Sequence, residues 1–259
     1  MIPYVRQKKM YDYLKIRHIV YLQELADYTQ VSLPTVRRDV KKLEEEGKII
    51  LLNGGGVKLS EQLDHSVTNR LEVNLEEKLL ICTKAASYIH HSDIIYLGPG
   101  TTENYLIGCL KGKDVTVVTN GIFHARKLVE NGINTVIIGG KLENSFSITY
   151  GPSVFDEISN MNFTTCVIGA SGISERGVSS FDKDVSIINK KVMEQSKTKI
   201  LIVDSTKFNK DSPFIFASVD DFDYIITTDI ADIRFENVEH IVLVPVGTGR
   251  TNKQKDIKI

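Results

Sequence analysis

Residues 31–42 read VSLPTVRRDVKK: two adjacent arginines, an aspartate and two lysines behind a proline. Guanidinium groups can grip guanine edges bidentately and, like ammonium groups, neutralise phosphate. The chemistry on offer is therefore recognition of nucleic acid. The same run could equally be the solvated face of an ordinary helix. Stepping about 100° per residue separates the side chains. Val36, Val40 and Leu43 fall within roughly 60° of one another as a buried stripe. Pro34, Arg37, Arg38 and Lys41 gather on the opposite side. Asp39 lies at the edge of the stripe, where it would pair with a basic neighbour from the same small domain.

A second constellation is YLGPGTTENYLIG at 96–108, a strand, a glycine turn and a helix start. Backbone N–H groups of such a turn bind anions, and Thr101 and Thr102 add hydroxyl donors. The dinucleotide spacing is incomplete beyond Gly98 and Gly100, no acid closes the next strand, and no G-K-[ST] exists. A phosphate on a small metabolite is the chemistry that fits, set against a turn kept only for packing. Glu103, in the same first turn, favours the helix dipole itself and competes with an anion. Further small-residue turns end other strands: Asn120 in TNG, Gly140 and Lys141 in GGK, Gly169 and Ser171 in GASG. Lys141 and Lys207 are candidate phosphate partners, or else plain surface charge.

These groups need elements to hold them. Residues 3–16 read as a helix with Val5, Met10, Tyr13, Leu14 and Tyr4 on its apolar side, and 22–28 as a short second helix with Leu22, Leu25 and Ala26 facing in. TQVS is a turn. Ser32 is a natural N-cap for the third helix, whose first turn tolerates Pro34 and whose end is Gly47. KIILLNGGGVKLS then gives a hairpin of roughly five residues a side. Helix, helix, turn, capped basic helix and hairpin make a winged helix-turn-helix over 1–59, with the motif at about 20–39 and the wing at about 48–59. The wing tip, Asn53, Gly54 and Gly55, allows close backbone approach to a phosphate. Residues 60–74 read as a linker.

From 75 to 246 the texture changes. Near-continuous apolar runs at 94–98, 115–120, 135–140, 165–170, 199–204, 224–229 and 240–244 are the mark of strands buried on both faces. Helical segments around 76–90, 102–110, 123–131, 152–160 and 184–197 fall between several of them. That alternation is an α/β layer fold with a mostly parallel sheet, whose ligands sit outside the strands' carboxyl ends. Residues 247–259 are a polar tail.

The totals agree with this division. The net charge is −1, yet residues 1–59 hold eleven Lys or Arg against seven Asp or Glu, so a basic end precedes an acidic body. An anionic partner suits that end only. Cys82, Cys109 and Cys166 are odd in number and set in apolar runs, so they read as reduced core residues of a cytoplasmic protein. No signal peptide, membrane span, metal-ligand spacing or cofactor motif is present.

The run ELADYTQVSLPTVRRDVKKLEEEGKIILLNGGGVKL resembles the helix-turn-helix of the DeoR family of bacterial regulators. Ser32, Thr35, Val36, Arg37, Arg38, Asp39, Val40, Leu43, Glu44, Gly47, Gly54 and Gly55 match its pattern, while Leu51 or Leu52 and Asn53 stand where relatives carry Arg and His. Residues 75–230 resemble the DeoR sensor domain, itself similar to ribose-5-phosphate isomerase, through Gly100–Thr102, Thr116–Asn120, Ile138–Gly140, Gly169–Ile173 and Val203–Phe208. The resemblance implies a repressor of a carbohydrate operon. Double-stranded operator DNA would meet Ser32, Pro34, Thr35, Arg37, Arg38, Lys41, Asn53, Gly54 and Gly55. A phosphorylated sugar would bind among Gly98, Gly100, Thr101, Thr102, Asn120, Gly140, Lys141, Gly169, Ser171 and Lys207. A homodimer or homotetramer is expected, since helix-turn-helix proteins read paired half-sites. The alternative is a sugar-phosphate isomerase carrying a DNA module, with Asp182, Asp184 or Glu143 as its base.

Overall fold

The computed structural model describes residues 2–17, 19–45, 48–59, 71, 73–143, 147–234 and 239–247. Gly47 as a helix end, most of the linker and all but the first residue of the tail lie outside them. The chain divides into two compact units, Met1–Glu72 and Val73–Ile259.

In the first unit, α1 (Pro3–Ile16) starts on a proline, which brings its φ already set and has no N–H to leave unpaired. A two-residue strand β1 (Val20–Tyr21) leads into α2 (Leu22–Thr29). Gln30, in the left-handed region at φ 55°, ends α2 and turns the chain into α3 (Leu33–Glu45). The hairpin β2 (Ile49–Leu51) and β3 (Gly56–Leu59) follows, shorter than the sequence suggests, and β1 joins it in the order β1-β3-β2. Met10, Leu14, Leu25, Val36, Val40, Leu43 and Val57 form the core.

The apolar side expected for α1 is only half correct. Tyr4 and Val5 are exposed, whereas Arg6 and Gln7 are buried. Arg6 and Gln7 are the i−4 and i−3 neighbours of Met10 and share its face. Tyr4 and Val5 lie roughly 120–140° away from it.

The second unit is a seven-stranded, wholly parallel sheet in the order β15-β14-β12-β9-β4-β5-β6. Its strands are β4 (Ile94–Leu97), β5 (Thr116–Thr119), β6 (Asn134–Ile137), β9 (Phe163–Ile168), β12 (Ser196–Ile202), β14 (Tyr224–Thr228) and β15 (Ile241–Val244). All seven apolar runs of the sequence are here. Alternate residues serve opposite faces. Ile95, Leu97, Val117, Val167 and Ile200 pack against α4 (Leu75–Ala86), α5 (Glu103–Cys109) and α6 (Ile122–Glu130). Tyr96, Val118, Cys166, Ile168 and Leu201 pack against α7 (Pro152–Ser159) and α8 (Lys183–Glu194).

Five short strands escape the sequence reading. A hairpin pairs β7 (Lys141–Glu143) with β8 (Ile148–Tyr150), and β10 (Gly172–Ser174), β11 (Gly177–Ser180) and β13 (Phe214–Ala217) form a small antiparallel sheet. Three or four residues, in β11 all buried and all small or Val, leave no two-residue alternation to detect. Among the described residues no helix is long and apolar enough to cross a membrane.

Candidate nucleic-acid interface and effector rim

Helix α3 is held from below by its apolar stripe and by one buried charge. Asp39 is 3% exposed and receives the Arg6 guanidinium in an ion pair and the Gln7 amide at 3.2 Å. The partner foreseen for Asp39 is thus on α1, and it pins α3 to that helix. Arg37, Arg38 and Lys41 face solvent on the other side, with Pro34 and Ser32 exposed at the start and Thr35 half-buried. Lys41 reaches Glu45 only at 4.0 Å on the open surface, a pairing worth little. The Ser32 hydroxyl meets the Thr35 hydroxyl at 2.9 Å rather than capping a backbone N–H. Leu33 and Pro34 fill the first two positions, and the Thr35 amide already bonds the Ser32 carbonyl at 2.9 Å.

The wing turn closes through Leu52 N–H to Gly56 O at 2.7 Å. Gly54 and Gly55 sit at φ 92° and 84°, where a Cβ is strained. Asn53 is exposed beside them. The Leu22 amide bonds Gly55 O at 3.1 Å, and the Leu51 amide bonds the Glu44 carboxylate at 3.1 Å. The wing is therefore tied to both helices of the motif.

In the second unit the chain runs from β4 outward through β5 to β6, then returns to β9 on the other side of β4. The strand order reverses between β4 and β9, the place where open α/β sheets leave a ligand crevice. The Gly98–Thr102 turn and the Gly169–Ser171 turn flank it. Glu103 is 3% exposed, and its carboxylate lies in the crevice. A Cβ on Gly98 or on Gly169 would come within 2.9 Å of it, and one on Gly100 would collide with it. The glycines make room for the Glu103 carboxyl group.

The other candidates divide into floor and rim. Asn120 is a correction: its side chain accepts from the Tyr96 hydroxyl at 2.8 Å and donates to Thr149 O at 2.9 Å, 1% exposed. It clamps β5 to β8 and has no reach toward a ligand. Thr101 and Thr102 are buried as well, Thr101 accepting from Lys78 Nζ at 3.3 Å. A Cβ on Gly140 would stand 2.8 Å from Tyr150 O, a packing constraint. Lys141 is exposed over the Tyr150 ring, and Ser171 and Lys207 are partly exposed.

Sequence reasoning passes over three buried groups here. Lys78 and Glu77 on α4 are 2% and 8% exposed; on a helix such residues read as solvated. His124 on α6 is 2% exposed, and its Nε2–H donates to Gly100 O at 2.8 Å, bracing the same turn. Burial pushes its pKa down to about 4, which keeps the ring neutral. Of the bases considered for an isomerase, Asp182 caps α8 through Val185 N–H at 2.9 Å, and Asp184 is exposed. No group of three His, Cys, Asp or Glu side chains suits a metal among the described residues.

A basic recognition helix with a wing defines the class, a winged-helix DNA-binding protein carrying an α/β unit with a polar strand-end crevice. Residues 6–62 match the DeoR-like helix-turn-helix domain and residues 73–229 the DeoR C terminal sensor domain. The chain belongs to the DeoR family of transcriptional regulators. It is 32% identical to the uncharacterized HTH-type transcriptional regulator FruR of Bacillus subtilis, covering 95% of this chain and 99% of that one. It is 33% identical to the B. subtilis HTH-type transcriptional repressor GlcR (86% and 88% covered) and 30% identical to the lactose phosphotransferase system repressor of Lactococcus lactis (79% and 83%). These relatives are named as regulators or repressors, not as enzymes. Among solved structures, ribose 5 phosphate isomerase A of Neisseria gonorrhoeae aligns at TM-score 0.39 and 19% identity over 51% of this chain and 52% of that one. The eIF2B beta of Chaetomium thermophilum aligns at 0.42 and 15% over 85% and 65%.

Proposed function

We propose that this chain is a cytoplasmic, sequence-specific repressor of a sugar or carbohydrate utilisation operon, and that a phosphorylated sugar modulates its affinity for operator DNA. The observation that carries the reading is the outward basic face of α3, joined in one chain to a DeoR-type sensor domain. The names of the GlcR and lactose phosphotransferase system relatives support repression, and the second supports a carbohydrate operon as the target.

Within this reading, residues 1–59 bind DNA, 60–74 link, 75–246 sense, and 247–259 are a tail. Arg37 and Arg38 meet base edges in the major groove. Lys41 and the start of α3, Ser32, Pro34 and Thr35, follow the phosphates, and Asn53, Gly54 and Gly55 bring the wing to the flanking backbone. The effector lies over the β4–β9 crevice. Gly98, Gly100, Thr101, Thr102, Gly140 and Gly169 shape the floor, and Ser171 with Lys207 or Lys141 supplies polar contacts. Two copies of the chain, as a dimer or tetramer, match paired half-sites. Selection of bound duplexes from a random pool should return a specific site. Recovery of only sequence-blind binding that vanishes at modest salt would overturn the proposal.

A further inference from the structure

The first two turns of α4 are bonded to the loops at three strand ends around the crevice. Asn74 Nδ2 donates to Asp204 Oδ1 at 3.1 Å, in the turn after β12. The Glu77 carboxylate accepts from the Ser205 amide at 3.0 Å, the Ser205 hydroxyl at 2.9 Å and the Thr228 hydroxyl at 2.6 Å, so it holds the ends of β12 and β14 together. Lys78 Nζ donates to Thr101 Oγ1 at 3.3 Å, and the Cys82 thiol to Thr102 O at 3.1 Å, in the turn after β4. Partners 128 to 151 residues apart are brought to a single helix. Asn74 itself takes the left-handed conformation, φ 54°, to begin it.

The position of α4 in the chain gives these bonds a second meaning. The helix-turn-helix match ends at residue 62 and the sensor match begins at 73. Asn74 is thus the second residue of the sensor unit, directly after the segment that leads from the DNA-binding unit. A helix that only packed on the sheet would need its apolar side, Ile81, Cys82 and Ala85. It would not need a buried carboxylate and a half-buried amide bonded to the strand-end loops. Buried polar groups are costly unless fully bonded and fix one arrangement when they are.

We propose that Asn74 and Glu77 are positioning residues that couple the effector crevice to the DNA-binding unit: a ligand that rearranges the turn at Asp204–Lys207 or the end of β14 shifts the start of α4, and through it the chain leading to the winged helix. The inference rests on the reading of the crevice as an effector site. It adds the route by which occupancy is felt.

The test uses the full chain, an operator duplex selected on the wild type, and four probes: fructose 1-phosphate, fructose 6-phosphate, glucose 6-phosphate and tagatose 6-phosphate. Thermal shift reports probe binding, and fluorescence anisotropy reports operator affinity with and without probe. Asn74→Gly keeps the left-handed start while deleting the bond to Asp204. Ser205→Ala deletes one of the three bonds to Glu77 and keeps the amide. Both are mild enough to fold, which circular dichroism checks; Glu77→Gln is the stronger variant. The wild type should show a change of operator affinity in the range of about 5- to 150-fold. Asn74→Gly and Ser205→Ala should bind the same probe within about twofold of wild type and lose most of that change, with probe-free operator binding intact. Variants that keep the full wild-type response overturn the inference and leave the effector reading standing. Variants that lose the response because they no longer bind the probe also overturn it, since the residues would then be part of the binding site. If no probe binds the wild type, the effector reading fails and this inference with it.

Discussion

Asp39→Ala removes the buried carboxylate that ties the recognition helix to α1. It takes from the buried Arg6 guanidinium and the Gln7 amide the acceptor that they share. Deleting one partner of a fully interior ion pair costs about 3–5 kcal/mol, because the other charge stays buried. Arg6 keeps other contacts when Asp39 is gone, so we expect less, about 2–3 kcal/mol. A unit of 72 residues has roughly 4–11 kcal/mol of stability to lose. The folded unit survives but opens more often. Hydrogen exchange read by mass spectrometry on the full chain separates the two units, which a single melting curve does not. Amides of α1 and α3 should exchange about 30- to 150-fold faster, while those of β9 and β12 are unchanged. Operator binding should weaken because α3 loses its fixed seat. An acceleration below about threefold in α3 would show that Asp39 does not secure the recognition helix.

Arg37→Ala and Arg38→Ala should each cost about 1–3 kcal/mol of operator affinity and relax preference at one base pair, whereas Lys41→Ala should weaken all sequences alike and lower the salt slope by about one; competition titrations at several salt concentrations distinguish the two. His124, with its pKa pushed down to about 4 against about 6.5 in the unfolded chain, binds fewer protons folded than unfolded between those values. Stability is therefore unaffected above about pH 7 and falls by up to about 3 kcal/mol as pH drops from 6.5 to 4. His124→Gln should flatten that part of a denaturation-versus-pH curve, and an unaltered slope would contradict the burial argument. Gly100→Ala sets a Cβ against the Glu103 carboxylate and should destabilise the sensor unit by about 1–3 kcal/mol, seen as a lower denaturation midpoint for that unit; a neutral outcome would mean that the carboxylate is not confined there.

The legible parts of this molecule are those in which one residue's neighbours in sequence are also its neighbours in space. The stripe Val36, Val40 and Leu43 repeats at helical spacing, so the outward side of α3 and the inward place of Asp39 follow from the sequence alone. The seven strands announce themselves because both faces are covered, leaving apolar runs such as ILIV at 200–203. What stayed hidden depends on distant partners. Arg6 and Gln7 have the composition of a solvated helix face, yet they share the inward face of Met10 and meet Asp39 across it. Glu77 and Lys78 are similar, with a serine, two threonines and an amide among their partners, 23 to 151 residues away along the chain. Asn120 read as a ligand donor because it ends a strand beside a glycine; that Tyr96 and Thr149 occupy its amide requires the strand register. The crevice between β4 and β9 also depends on strand order, which hydrophobic runs do not encode.

The central claim is that a basic recognition helix and a metabolite crevice act as one regulator. Anisotropy titration of the selected operator against a scrambled duplex at about 150 mM salt, with and without each sugar phosphate, tests it most directly. The account predicts specific binding at least about 10³-fold tighter than to the scrambled duplex, changed about fivefold or more by one of the sugar phosphates. Equal affinity for both duplexes, or operator binding that no sugar phosphate alters, would contradict it.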